Sequence, residues 1–146
     1  MSIFLYHGSM YHTKLLRPGF DFSKVLVEWD ETEDNTFLYA TLNREQALLL
    51  GFFSGVEKLF GAVACHYKEK SIDLGFENKV SELKTFNVYL YTCKFNKDWS
   101  KVDNAVNSLQ NEYKTQKRIT PVKIEKIDIL SWLSENNFSI NSFVVN

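Results

Sequence analysis

Phe86-Asn87-Val88-Tyr89-Leu90-Tyr91-Thr92-Cys93-Lys94-Phe95 is the stretch on which the fold turns. Val88, Leu90 and Thr92 alternate with Tyr89, Tyr91 and Cys93, the period-two pattern of a β-strand. Working outward toward the C-terminus, Glu112-Tyr113-Lys114-Thr115 and the alternating run Val122 to Ile129 read as two further strands, expected to pair with each other. The segment from Lys101 to Asn111 is ambiguous between helix and loop, and Ser131 to Asn136 reads as one or two helical turns.

Toward the N-terminus, Phe60 to Tyr67 reads as a strand containing Cys65. Before it, Asn43 stands as a helix N-cap with Gln46 at capping-box spacing. Ala47, Leu48, Leu50 and Phe53 are the expected inward side of that helix, and Gly51 or Gly55 its expected end. Thr36 to Thr41 is another strand. Ile3 to His7 is a short apolar run that ends at Gly8-Ser9, as a strand leaving a buried sheet does, and Leu15-Leu16-Arg17 stops at the Pro18-Gly19 turn signal. Between these, Glu28 to Asn35 holds five carboxylates and no base, a solvated loop. Strands outnumber helices and few βαβ units are spelled out, so an α+β, mainly antiparallel architecture is expected.

The chain has 146 residues, 45% of them apolar and 24% charged, with a net charge of −1. That composition excludes intrinsic disorder, and the length fits one domain, with no linker or repeat to divide it. Near-neutrality argues against nucleic-acid binding by bulk electrostatics. No apolar run reaches a membrane span of about 18 residues, and MSIFLYHGS lacks the features of a signal peptide, so a soluble, cytoplasmic protein is expected. Cys65 and Cys93 lie in different apolar segments with no metal-ligand spacing, which favours two buried thiols over a disulfide and no metal site. His12 and His66 have no metal-spaced partner, and Trp29, Trp99 and Trp132 read as packing residues.

Polar groups at strand ends are where chemistry could sit. His7 beside Gly8 and Ser9 offers an imidazole and an approachable backbone. Taken singly, His7 reads as a strand-end residue, Tyr39 as a packed ring and Glu112 as a solvated edge carboxylate.

Their order along the chain says more. Tyr6-His7-Gly8-Ser9, then Leu38-Tyr39-Ala40, then Asn111-Glu112-Tyr113 together resemble the ADP-ribosyltransferase superfamily, in its His-Tyr-Glu branch typified by diphtheria toxin and the poly(ADP-ribose) polymerases. The resemblance implies a split β-sandwich of two antiparallel sheets with a few short helices. It also implies an NAD-dependent mono-ADP-ribosyltransferase that moves ADP-ribose from NAD to a macromolecular acceptor, a protein by preference, and releases nicotinamide. No metal is required.

Residue by residue, it implies that His7 bonds an adenosine-side ribose hydroxyl and that the Gly8 backbone bonds the nicotinamide carboxamide. Ser9 would add a polar contact nearby, Tyr39 would lie against the nicotinamide ring and its ribose, and Glu112 would bond the 2′-hydroxyl of that ribose. Where the family places a second Tyr on the following helix, this chain has Phe52 and Phe53, each readable as a stacking ring or as core. Arg17 and Arg44 are the bases nearest the motifs, for the pyrophosphate or for surface ion pairs. Gln110, two residues before Glu112, stands where related transferases select the acceptor side chain. The Arg-Ser-Glu branch, with Arg at the His7 position, matches poorly. A chain of this size is similar to phage and bacterial effectors, for which the host cytoplasm would be the site of action. Three rival readings use the same fold: a non-catalytic partner-binding or inhibitory module, an NAD glycohydrolase, and a nucleic-acid ADP-ribosyltransferase.

Overall fold

The computed structural model describes residues 2–20, 37–80, 82–102 and 112–145. Its architecture is α+β: a six-stranded sheet, a three-stranded sheet and two helices. The acidic block Glu28 to Asn35, most of the ambiguous stretch before Glu112, and Gln110 lie outside the described residues.

β5 (Asn87–Lys94) lies inside the large sheet, one strand from its edge. It pairs antiparallel with β1 (Phe4–Ser9), from Phe4↔Lys94 to Ser9↔Tyr89, and on its other side with β8 (Lys123–Asp128). Beyond β1 come β2 (Leu38–Thr41), β7 (Glu112–Thr115) and the short edge strand β6 (Ser100–Lys101). The expected pairing of the two late strands with each other is therefore corrected. β7 zips onto β2 and β8 onto β5, at opposite ends of the sheet. Alternation announces a strand, but the choice of neighbour is made by tertiary packing.

Both faces of β5 are covered, which is why its alternation is apolar against apolar. Val88 and Leu90 enter one core with Leu48, Phe52, Val56, Ile72, Leu74 and Leu133. Tyr91 and Cys93 enter a second core with Leu5, Leu16, Leu38, Ala40 and Trp99. Each fully buried aliphatic side chain of this kind contributes about 1.5–3 kcal/mol.

The first core lies beneath α1 (Arg44–Phe60). Asn43 caps the helix as expected, its Oδ1 accepting the Gln46 N–H at 3.0 Å. The expected stop at Gly51 or Gly55 is corrected: α1 runs on to Gly61, whose φ of 73° closes it in a left-handed cap. The two inner glycines serve contact instead. A Cβ on Gly51 would stand 2.7 Å from Val88 Cγ1, and one on Gly55 2.2 Å from the Phe86 ring. Of the expected inward side, Ala47 and Leu48 are fully buried, together with Leu49, Phe52 and Val56, whereas Leu50 is 37% exposed.

After α1, β3 (Ala62–Lys68) and β4 (Ser71–Phe76) form a hairpin through Glu69 at φ 56°. Following β8, Asp128 caps the two-turn helix α2 (Ile129–Glu135). The chain then returns as β9 (Ser139–Val144), parallel to β4, so the small sheet is mixed rather than antiparallel. Cys65 and Cys93 are free thiols. Burial pushes both up to about 12, with the Glu57 carboxylate adding to the effect at Cys65. Among the described residues, no helix is long and apolar enough to cross a membrane.

Candidate functional site

Strand order brings three distant segments side by side. Tyr6 of β1 lies opposite Thr41 of β2, and Thr41 opposite Glu112 of β7. Directly opposed residues of antiparallel strands project to the same face, so Tyr6, Thr41 and Glu112 share one side of the sheet. Tyr6↔Thr41 is the one register pair joining β1 to β2. Past it the strands are bridged by a side chain: His7 Nδ1 meets the Tyr39 carbonyl at 2.5 Å. A carbonyl only accepts, so Nδ1 carries the proton, and in the neutral ring Nε2 holds the lone pair.

A cavity of about 80 Å³ lies at this parting. His7, Gly8, Tyr39 and Glu112 line it, together with Tyr6, Ala40, Thr41 and the helix residues Ala47 and Leu50. Gly8 is there because nothing larger fits: a Cβ would stand 2.0 Å from the Ala47 carbonyl oxygen. The half-buried Glu112 is fixed through its backbone, its carbonyl accepting the Val102 N–H at 3.0 Å. Of the described lining residues, Glu112 alone carries a carboxylate.

Two sets of contacts hold this arrangement. The His7 ring packs 5.5 Å from Phe20 and 6.1 Å from Tyr91, centroid to centroid. Tyr91, fully buried, donates its hydroxyl to the Tyr11 carbonyl at 2.7 Å and accepts the Thr13 N–H at 2.9 Å. Those bonds seat the segment after β1, which Leu16 pins again to Ile119. On the other side Thr41 Oγ1 donates to Gln46 Oε1 at 3.1 Å and accepts the Asn43 N–H at 3.1 Å, tying β2 to the start of α1.

Other residues singled out in the sequence stand elsewhere. Ser9 is 2% exposed and does not line the cavity; its Oγ accepts the Tyr11 N–H at 3.0 Å. Phe52 is core, not a stacking ring: it is fully buried and stacks on Phe86 at 6.0 Å and 10°. Phe53 turns toward Tyr67 of the small sheet. Arg17 is exposed ahead of the Pro18 turn, away from the cavity lining. Arg44 is engaged across the helix start with Glu125 of β8, at 3.0 Å. Tyr6, Thr41 and Leu50 were missed as lining residues. A signal existed for the first two, since they sit inside the quoted strand-end segments. Leu50 follows Ala47 by three positions, one helical turn along the same side.

The lining combines aromatic rings, one imidazole and one carboxylate beside the backbone at Gly8. A space of about 80 Å³ is well below the 300–1,000 Å³ of pockets that enclose a whole drug-sized ligand. It has room for a small group and not for a whole dinucleotide. No family model, no curated protein and no solved structure matches the chain.

Proposed function

We propose that this chain is an NAD-dependent mono-ADP-ribosyltransferase on an ADP-ribosyltransferase-like split β-sandwich, acting on a protein acceptor. One observation carries the reading: His7, Gly8, Tyr39 and Glu112, from β1, β2 and β7, line a single cavity. The two-sheet α+β architecture is compatible with it.

In this reading the nicotinamide end of NAD enters the cavity. The Gly8 backbone holds the carboxamide, and the Tyr39 ring lies against the pyridinium at low entropic cost. His7, its tautomer set by the Tyr39 carbonyl, presents the remaining ring nitrogen to a ribose hydroxyl. The C1′–N bond then breaks and its electron pair leaves with nicotinamide, which becomes neutral. Positive charge develops on the ribose, as in glycoside cleavage through an oxocarbenium-like state. Glu112, bonded to the 2′-hydroxyl, stabilises that charge as it forms rather than the ground state. An acceptor lone pair closes the new bond at C1′, and the acceptor loses a proton.

The test is incubation with labelled NAD and cell lysate, alongside Glu112→Ala and His7→Ala. Label on protein, abolished by Glu112→Ala, supports the reading. Free nicotinamide without labelled protein moves the assignment to a glycohydrolase, and the absence of both NAD binding and turnover overturns it.

A further inference from the structure

We propose that β9 is a self-association edge, along which two copies of this chain join antiparallel about a two-fold axis and fuse their small sheets into one. This inference is independent of the catalytic reading.

Backbone valence comes first. β9 ends the small sheet, whose order is β3-β4-β9. The Ser139 N–H donates to the Lys70 carbonyl at 2.8 Å and the Val145 N–H to the Phe76 carbonyl at 2.7 Å. The register between them runs without a bulge. In a strand the N–H and C=O of successive residues point to opposite sides. Ser139 and Val145 both serve β4, so Ile140, Ser142 and Val144 direct their peptide groups to the open side. An outward row of this kind is completed by water or by another extended strand.

Side-chain chemistry decides between those. Proteins protect sheet edges with Lys, Pro, inward charges, bulges or very short strands. The segment Ser139-Ile140-Asn141-Ser142-Phe143-Val144-Val145 has none of these. Instead Phe143, Val144 and Val145 are 43%, 47% and 39% exposed. A cavity of about 280 Å³ beside the edge is lined by Phe76, Val80, Phe143 and Val144, with Asn78, Ser142 and one charged residue, Lys79, which belongs to the segment after β4 and not to β9. The other described edge strands are protected. β6 has two residues and ends in Lys101, β8 carries Lys123, Glu125, Lys126 and Asp128, and β3 carries Lys68 and a register shift.

The lack of charge within the strand itself also names the occupant. Two-fold antiparallel pairing sets a strand against its own sequence, so a charged strand meets like charges on its copy. β9 is exempt. With the axis at Ser142, that residue faces Ser142 of the second copy and Ile140 faces Val144, a β-branched pair of the kind that sheets favour.

The test uses the full chain in sedimentation equilibrium, with Ser142→Pro, Ser142→Lys and Ser142→Glu. Pro at 142 removes an outward N–H and leaves the bonds to β4 untouched. The expected result is a wild-type dimer, and monomers for each variant with unchanged circular dichroism. An equimolar mixture of Ser142→Lys and Ser142→Glu chains is expected to re-form the dimer. A wild-type chain that is monomeric throughout overturns the proposal, as does a dimer that the variants leave intact. Hydrogen exchange on the wild type gives a reading that needs no variant. Slow amides at Ile140, Ser142 and Val144 that become fast on dilution support the seam, and amides fast at every concentration refute it.

Discussion

Tyr39 serves the cavity twice, with its ring as a wall and with its carbonyl as the acceptor for His7. The two functions separate under mutation. Tyr39→Ala removes the ring but keeps the carbonyl, so the expected result is weaker NAD binding with the His7 tautomer retained, checked by nitrogen chemical shifts of the imidazole. Glu112→Gln keeps size and removes charge. On the proposed chemistry it lowers nicotinamide release on the order of 10²–10³-fold, measured by chromatography of the products. Single residues were partly legible in the sequence. His7, Gly8, Tyr39 and Glu112 stand at or near strand ends, where backbone and side chain meet a cavity. Phe52 was not, because a ring one position from an exposed face looks the same in sequence as one turned fully inward.

At the scale of elements, α1 shows where sequence reading succeeds and where it stops. Its start was legible because Asn43 and Gln46 act locally, through one side chain and the first turn. Asn43→Ala is expected to cost about 1 kcal/mol in urea unfolding. Its end was not legible, because a glycine reads as a stop until the surface facing it is known. Gly51 and Gly55 are held in the helix by Val88 and Phe86, contacts between segments far apart in the chain. The crossing of α1 over β1 is tighter still at Gly8. Gly8→Ala forces helix and strand apart, and a loss of about 1–3 kcal/mol is expected from overpacking, read as a lower urea midpoint with an unchanged slope. The strands themselves were mostly legible from alternation. β4, β6 and β9 were not recognised, and the neighbours of β7 and β8 were misjudged, since one row of residues does not encode what lies beside it.

For the molecule as a whole, titrating groups set a stability range bounded on both sides. Hydrogen bonds from the Thr85 hydroxyl and the Ser131 backbone N–H hold the Asp128 carboxyl below its ordinary 3.8. A lowered carboxylate contributes stability that is present above the unfolded value and lost as pH falls through the folded one. Glu57, pushed up by burial, works in the opposite direction. The diagnostic is therefore the difference between wild type and Asp128→Asn, which is expected to shrink as pH drops below 3.8 in melting curves. On the alkaline side, burial raises Cys65 and Cys93 from 9.0 to about 12. Their contribution is complete below 9.0 and fades as pH climbs toward 12, so melting temperature falls across that interval. At neutral pH the thiols are protonated, and alkylation by iodoacetamide is expected to be slow, by mass spectrometry of the intact chain.

The parallel pairing of β9 with β4 also governs how the chain matures on the ribosome. Asp73 and Asn141 touch across a separation of 68 residues. A nascent chain therefore carries the β3–β4 hairpin through nearly half of translation before the strand that completes its sheet has been made. Until then Ile72 and Leu74, both fully enclosed in the finished protein, rest on a hairpin with one flank open. Loop closure over such a span is slow, so the small sheet is completed only after Val144 has been made.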